Sequence, residues 1–78
     1  MSGWDSYDFL VDDLAERIMR LHEGVVAGYA DGGKGALPFL RQLEDVWYAI
    51  DLIDGMADNV VLRQDVQAWI AARRRIER

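Results

Sequence analysis

The strongest constraint on the fold is a helical repeat of apolar side chains in the first third of the chain. Six apolar residues recur there at alternating intervals of four and three: Tyr7, Val11, Leu14, Ile18, Leu21 and Val25. An α-helix turns once every 3.6 residues, so this spacing places them along one side of a helix. A second apolar row widens the arc to about 180° of the helical wheel; it consists of Ala15, Met19 and Val26. We therefore predict a helix over about residues 5–28 that contacts two neighbours at once.

Two further segments carry the same periodicity. The second helix is predicted over about residues 37–55, with Pro38 in its first turn and Gly55 as its stop. The third is predicted over about residues 59–76, with Asp58 or Asn59 as its N-cap. Their stripes are Leu40, Leu43, Val46, Trp47, Ile50 and Ile53, and then Leu62, Val66, Trp69, Ile70 and Ile76. The prediction is a single all-α domain over residues 1–78, a compact up-down-up three-helix bundle whose wide first helix also allows dimerisation.

Length and composition argue against most enzymes. The chain has 78 residues and no cysteine, so it has no disulfide, thiolate metal site or cysteine nucleophile. No apolar run approaches the ~20 residues needed to cross a bilayer, and the N-terminus lacks the pattern of a signal peptide. We expect a cytoplasmic, non-enzymatic protein that uses no cofactor or metal and does not bind membranes.

The glycine-rich run at residues 32–35 has two interpretations. A phosphate-binding loop of the Walker type needs a strand before it and a Lys followed by Ser or Thr after it. Here a predicted helix precedes the run, and Ala36 and Leu37 follow it. Lys34 and a helix N-terminus can still attract an anion. We favour a joint between helices, in which the glycines adopt positive φ angles.

His22, the only histidine, is a candidate base or ligand. Helical geometry places it inside the apolar arc of the first helix, and no serine or cysteine nucleophile lies near it in sequence. We therefore predict a partly buried histidine that is hydrogen-bonded to backbone or carboxylate.

Two acidic pairs, Asp13-x-x-Glu16 and Asp51-x-x-Asp54, resemble those of all-helical nucleotide pyrophosphohydrolases, which hold magnesium between helices. The resemblance implies a metal-dependent hydrolase, since hard cations need convergent carboxylates. However, Asp13 and Glu16 fall on the charged face of the first helix, away from the side of the second helix that carries the other pair. We therefore expect solvated carboxylates and no metal. Asp54 is interpreted as a helix-end partner close to Tyr7, which can donate a hydrogen bond to it.

The C-terminal segment reverses the sign of the net charge, which is −5 for the whole chain. Its run from Asp65 to Arg73 resembles the end of small excisionase-like phage regulators. The resemblance implies that Arg73, Arg74 and Arg75 contact DNA phosphates. The other interpretation is a helix end with solvated arginines, in which Arg73 pairs with Glu44 or Glu23.

Apolar and acidic residues outside the stripes are the candidates for binding a protein partner. Three of them, Tyr48, Leu52 and Met56, either contact the third helix or form an exposed patch ringed by acids. Trp4 either folds back onto the first helix as a staple or stands out as an anchor. The candidate partner-binding residues are Trp4, Phe9, Asp12, Asp13, Glu16, Tyr48, Leu52 and Met56.

These features favour a small acidic interaction protein that binds and modulates or inhibits a protein partner. Proteins of this kind occur among phage or mobile-element inhibitors, antitoxin-like factors and accessory subunits. We expect a homodimer whose partner presents a basic or nucleic-acid-binding surface, because acidic faces complement such surfaces. The alternative is a small DNA-associated regulator that uses the arginine-rich third helix.

Overall fold

The computed structural model describes residues 6–58 and 61–76, which fold into three α-helices. Helix α1 is Ser6–Ala30, α2 is Leu37–Met56 and α3 is Leu62–Ile76; a short 3-10 turn, Lys34–Ala36, precedes α2. No strand occurs in these two ranges. The predicted all-α three-helix bundle is confirmed, with helix boundaries within about three residues of those expected from periodicity.

Contacts between side chains establish the direction of each helix. The Tyr7 hydroxyl donates a hydrogen bond to the Asp65 carboxylate, which brings the start of α1 beside the start of α3. Arg73 Nη1, near the end of α3, lies 3.0 Å from Glu16 Oε1 in the middle of α1. Helices α1 and α3 therefore run parallel, and α2 returns between them, as the up-down-up prediction requires.

The core lies where the apolar arc of α1 meets both other helices. Ile18 of α1 and Ile50 of α2 are fully buried, as are Leu62 and Val66 of α3. Tyr7 and Val25, near the two ends of the α1 stripe, are only partly buried against this core. Each fully buried aliphatic side chain contributes about 1.5–3 kcal/mol by leaving water.

Close backbone approach joins the end of α1 to the start of α2. A Cβ atom at Gly28 would lie 2.3 Å from the Ala36 backbone nitrogen, so only glycine fits there. The turn between these helices contains Gly32 and Gly33, each with φ of 91°. Residues other than glycine rarely adopt such angles. The positive φ angles therefore confirm the predicted glycine joint between the two helices.

Asp54 organises the start of α3. Its Oδ1 accepts a hydrogen bond from the Leu62 amide at 2.6 Å, and its Oδ2 accepts one from the Arg63 amide at 3.0 Å. The prediction that Asp58 caps α3 was therefore wrong, and the other predicted cap, Asn59, lies outside the described residues. Asp54 is a helix-end partner as predicted, but its predicted bond from Tyr7 is wrong. That hydroxyl donates to Asp65 of α3, while both Asp54 oxygens accept bonds from the amides that start α3.

Other local predictions need correction. Helix α2 continues through Gly55 to Met56, so Gly55 is not its stop. Ile76 was placed in the α3 stripe but is 84% exposed, since it lies in the last turn, beyond the core contacts. Arg73 was expected to pair with an acid such as Glu44 or Glu23; it does pair with acids, but these are Asp12 and Glu16, because parallel packing places Arg73 beside the middle of α1.

Unequal helix lengths leave one end of the bundle thin. Helix α1 has 25 residues and α3 has 15, a difference of about 15 Å at 1.5 Å per residue. His22 and Val26, which face the core direction on α1, are exposed there. The predicted burial of His22 was wrong for this reason. The radius of gyration, 14.2 Å, accordingly exceeds the about 11.5 Å typical of a globular chain of this length.

Candidate protein-binding surfaces

Three apolar side chains form an exposed row on the outward side of α2, which we call the outer stripe. Tyr48, Leu52 and Met56 follow one another at intervals of four residues, so they share one face of the helix. They are exposed by 66%, 48% and 82%, respectively. These exposures do not fit the alternative in which the row packs against the third helix. The outer stripe is free to contact another molecule.

The surroundings of the outer stripe are acidic. The sequence contains no lysine or arginine between Arg41 and Arg63, and it contains five acids in that interval: Glu44, Asp45, Asp51, Asp54 and Asp58. Two of these acids have partners, since Asp54 caps α3 and Asp51 accepts two bonds from Arg63 at 2.8 and 3.0 Å. Asp45 is exposed. Acids outnumber bases around the stripe, although Arg41 and Arg63 line a depression beside Tyr48.

A second surface lies where α3 no longer covers the helix pair, and we call it the hairpin-end groove. One depression of about 480 Å³ is lined by Met19, His22 and Val26 of α1 and by Arg74 of α3. Another of about 670 Å³ is lined by Leu37, Leu40, Trp47 and Tyr48 of α2, together with His22. The two depressions meet at His22. The second depression also extends to Asp51 of α2 and to Arg63 in the first turn of α3.

Large apolar side chains around the hairpin-end groove are open to solvent. Val26 is 69% exposed, Tyr29 61% and Leu37 53%. Val26 was expected in the packed apolar arc, and neither Tyr29 nor Leu37 was among the expected surface residues. A signal was present: the apolar stripe of the third segment, Leu62 to Ile76, spans fewer turns than the stripe of the first, Tyr7 to Val25.

The acidic candidates on α1 have different environments. Glu16 pairs with Arg20 at 3.5 Å and with Arg73 at 3.0 Å, and Asp12 lies 3.9 Å from Arg73. Both acids therefore help to hold α3 against α1. Asp13 is exposed.

The aromatic candidates near the N-terminus are separate from the outer stripe. Phe9 is 62% exposed and lies on the face of α1 opposite Ile18, whereas the stripe belongs to α2. Trp4 lies outside the described residues, so neither its staple nor its anchor interpretation is tested. Phe9 and Asp13 are the α1 candidates whose side chains face solvent.

The arginines of α3 divide into two groups. Arg73 is held by α1 acids, whereas Arg74 and Arg75 are exposed in the last turn. Two carboxylates beside Arg73 reduce the positive potential that a phosphate would meet. The DNA-binding interpretation of Arg73, Arg74 and Arg75 thus depends mainly on the latter two.

The carboxylates with a resemblance to a magnesium site are dispersed. Glu16 pairs with arginines, Asp51 pairs with Arg63, and Asp54 caps α3. Within residues 6–58 and 61–76, no group of three or more acids, histidines or cysteines is placed to hold a metal ion. Glu16, Asp51 and Asp54 thus join helices, whereas Asp13 is exposed.

Within residues 6–58 and 61–76, Tyr7 has a pKa that departs clearly from its ordinary value. Burial is the largest cause that raises its pKa, from 10.0 to about 12. The hydrogen bond to Asp65 and the negative charges of Asp65, Asp54 and Asp8 raise this pKa further. The neutral phenol therefore acts as a donor that ties the N-terminal part of α1 to α3.

Comparison with known proteins finds no match to any family model, curated protein or solved structure. Among the helices that the structure describes, none is both long and apolar enough to cross a membrane.

Proposed function

We propose that this chain is a non-enzymatic protein-binding module that docks the outer stripe of α2 onto an apolar patch with a basic rim. By covering that patch, it modulates or inhibits the partner. The observation that carries the proposal is the exposure of Tyr48, Leu52 and Met56 within an acid-only stretch of sequence. Aromatic and methionine side chains are typical of interface centres, and charged rims determine which partner is accepted.

The acidic rim specifies the chemistry of the partner. Two like-charged surfaces repel one another, so a second copy of the outer stripe is a poor occupant. A partner with arginine or lysine around an apolar depression satisfies both features. Such a surface is typical of proteins that bind nucleic acid, whose basic grooves would be blocked by docking.

The test begins with affinity capture from host cells and continues with the purified captured protein. Substitution of Tyr48 and Met56 by Ser should weaken direct binding by at least tenfold, because interface centres lose about 1–4 kcal/mol on truncation. Asp45→Lys should weaken binding at low salt, and the difference should shrink at high salt because the charge is screened. Isothermal titration calorimetry measures both effects.

Ile76→Ser is the matched control, since Ile76 is exposed but lies on α3. It should leave binding unchanged. Asp13→Lys tests the acidic face of α1 separately, without disturbing the Arg73 pairs. The proposal is overturned if no partner binds directly, or if the control weakens binding as much as the stripe variant does.

The DNA-associated alternative has its own readout. Phosphate contacts strengthen as salt is lowered, so a DNA gel shift at low salt should reveal them. Neutralising Arg74 and Arg75 should abolish such a shift. Absence of a shift for the unaltered protein removes this alternative.

A further inference from the structure

In the part of the chain that the structure describes, no third helix covers α1 and α2 at the hairpin-end groove. Over residues 19–30 of α1 and 37–48 of α2, two helices lie side by side for about 18 Å. Val26, Tyr29 and Leu37 are exposed there, because α3 is ten residues shorter than α1. An occupant of this groove would complete the packing that α3 provides at the other end.

The charges of the groove distinguish it from the outer stripe. Glu23 and Arg74 line its α1 side, and Arg41 and Glu44 line its α2 side. Within the described part of the chain, none of these four groups lies within 4 Å of an oppositely charged group. A partner whose surface charges all have the same sign would meet as many like charges as opposite charges in this groove. A surface carrying both signs is suited to its own copy.

We propose that a second copy of this chain occupies the hairpin-end groove, in a twofold dimer that pairs Glu23 of one copy with Arg74 of the other. The twofold axis passes near Val26, so the last turns of the two α1 helices cross there and cover each other's apolar side chains. In such an isologous interface every pairing occurs twice. The groove lining shares Tyr48 with the outer stripe but contains neither Leu52 nor Met56, so those two side chains of each copy stay available to partners.

The size of the interface is feasible. A standard interface takes about 800 Å² from each partner, which is about one eighth of the 6021 Å² that the chain exposes. The groove extends over the ends of two of the three helices. A chain this short buries little surface on its own, so dimer formation would also raise its stability.

The experiment measures the mass of the full chain by sedimentation equilibrium from low micromolar to near-millimolar concentration. The unaltered protein should form dimers. Val26→Asp should raise the dimer dissociation constant at least tenfold, because it buries an unpaired charge in the interface. Met56→Asp, on the outer stripe, should leave the dimer unchanged. Circular dichroism confirms that both variants remain helical.

Charge exchange tests the pairing itself. Glu23→Arg gives copies with two positive groups at the interface, and Arg74→Glu gives copies with two negative groups. Each variant alone should dimerise at least tenfold more weakly, whereas a mixture of the two should form heterodimers with near-original affinity. The double variant, which carries both exchanges, should also recover.

Three outcomes would overturn the inference: a monomer at all concentrations, a dimer insensitive to Val26→Asp, or a mixture that forms no heterodimers. Its failure is distinguishable from failure of the proposed function. Val26→Asp should leave partner binding by the outer stripe intact, and Met56→Ser, outside the groove lining, should leave dimerisation intact.

Discussion

At the scale of single residues, two side chains join elements that are distant in sequence. Asp54, near the end of α2, accepts hydrogen bonds from two amides at the start of α3. Those amides have no partner within their own helix, and the negative carboxylate also complements the positive end of the helix dipole. Tyr7 extends the same junction to α1 by donating to Asp65, in the first turn of α3.

Removal of the Tyr7 hydroxyl should weaken this junction. We expect Tyr7→Phe to lower the free energy of unfolding by about 1–2 kcal/mol, since a partly buried hydrogen bond to a charged group is lost. Urea unfolding followed by tryptophan fluorescence at pH 7 measures the change. Tyr48→Phe is the control and should stay within about 0.5 kcal/mol of the unaltered protein, because that side chain faces solvent.

The unaltered protein and the Tyr7→Phe variant should also differ in how their stability changes at alkaline pH. The pKa of Tyr7 is about 12 in the folded chain, against an ordinary value of 10.0. Between these values the unfolded chain has lost this proton and the folded chain still holds it, so the free energy of unfolding falls as pH rises. The contribution is fully present below about pH 10 and is lost by about pH 12. An equally steep decline in Tyr7→Phe would contradict this assignment.

At the scale of elements, the contact between α1 and the turn before α2 depends on the absence of a side chain. At Gly28 an added Cβ would meet the Ala36 nitrogen at 2.3 Å and the Gly35 carbonyl carbon at 2.5 Å. Both are backbone atoms, so no rotamer change can relieve the clash. At Gly55, in the last turn of α2, an added Cβ would meet nothing within 4 Å.

The two glycines should therefore respond in opposite directions to alanine. Gly28→Ala should destabilise the protein by about 2–4 kcal/mol, because the steric cost exceeds the ~1 kcal/mol gain in helix propensity. Gly55→Ala should stabilise it by about 0.5 kcal/mol through that propensity alone. Thermal and urea unfolding of the two variants measure the difference; equal effects at both positions would refute the proposed close approach.

At the scale of the whole molecule, the bundle has a three-helix end and a two-helix end. Residues 11–21 of α1 are enclosed by α2 and α3, whereas residues 25–30 are covered mainly from the α2 side. Local opening costs least where few apolar contacts must be broken. The thin end should therefore be the less stable part of α1.

Hydrogen exchange measures this difference directly. In dilute protein, amides of residues 25–30 should exchange at least about tenfold faster than those of residues 11–18. The Val26→Asp variant is the reference, because it should remain monomeric as the concentration is raised. In the unaltered protein, protection of residues 25–30 should instead increase with concentration. Uniform protection along α1 in the monomer would contradict the account of the two ends.

Local chemistry was sufficient to predict the helices and the joint between α1 and α2. Apolar spacing is a property of neighbouring residues, so the stripe of Tyr7 to Val25 specifies a helix wherever that segment packs. Positive φ at Gly32 and Gly33 and the position of Pro38 are likewise local. The exposed-patch interpretation of the outer stripe followed from its offset around the same wheel.

Tertiary structure decided which parts of those stripes are covered and which charges meet. His22 lies on the apolar arc, yet it is exposed because α3 does not reach it. Arg73 meets Glu16, and Asp54 caps α3, because of the direction and length of helices that are far apart in sequence. A helical wheel gives the angle of a residue around its own axis, but burial also depends on where the neighbouring helix ends.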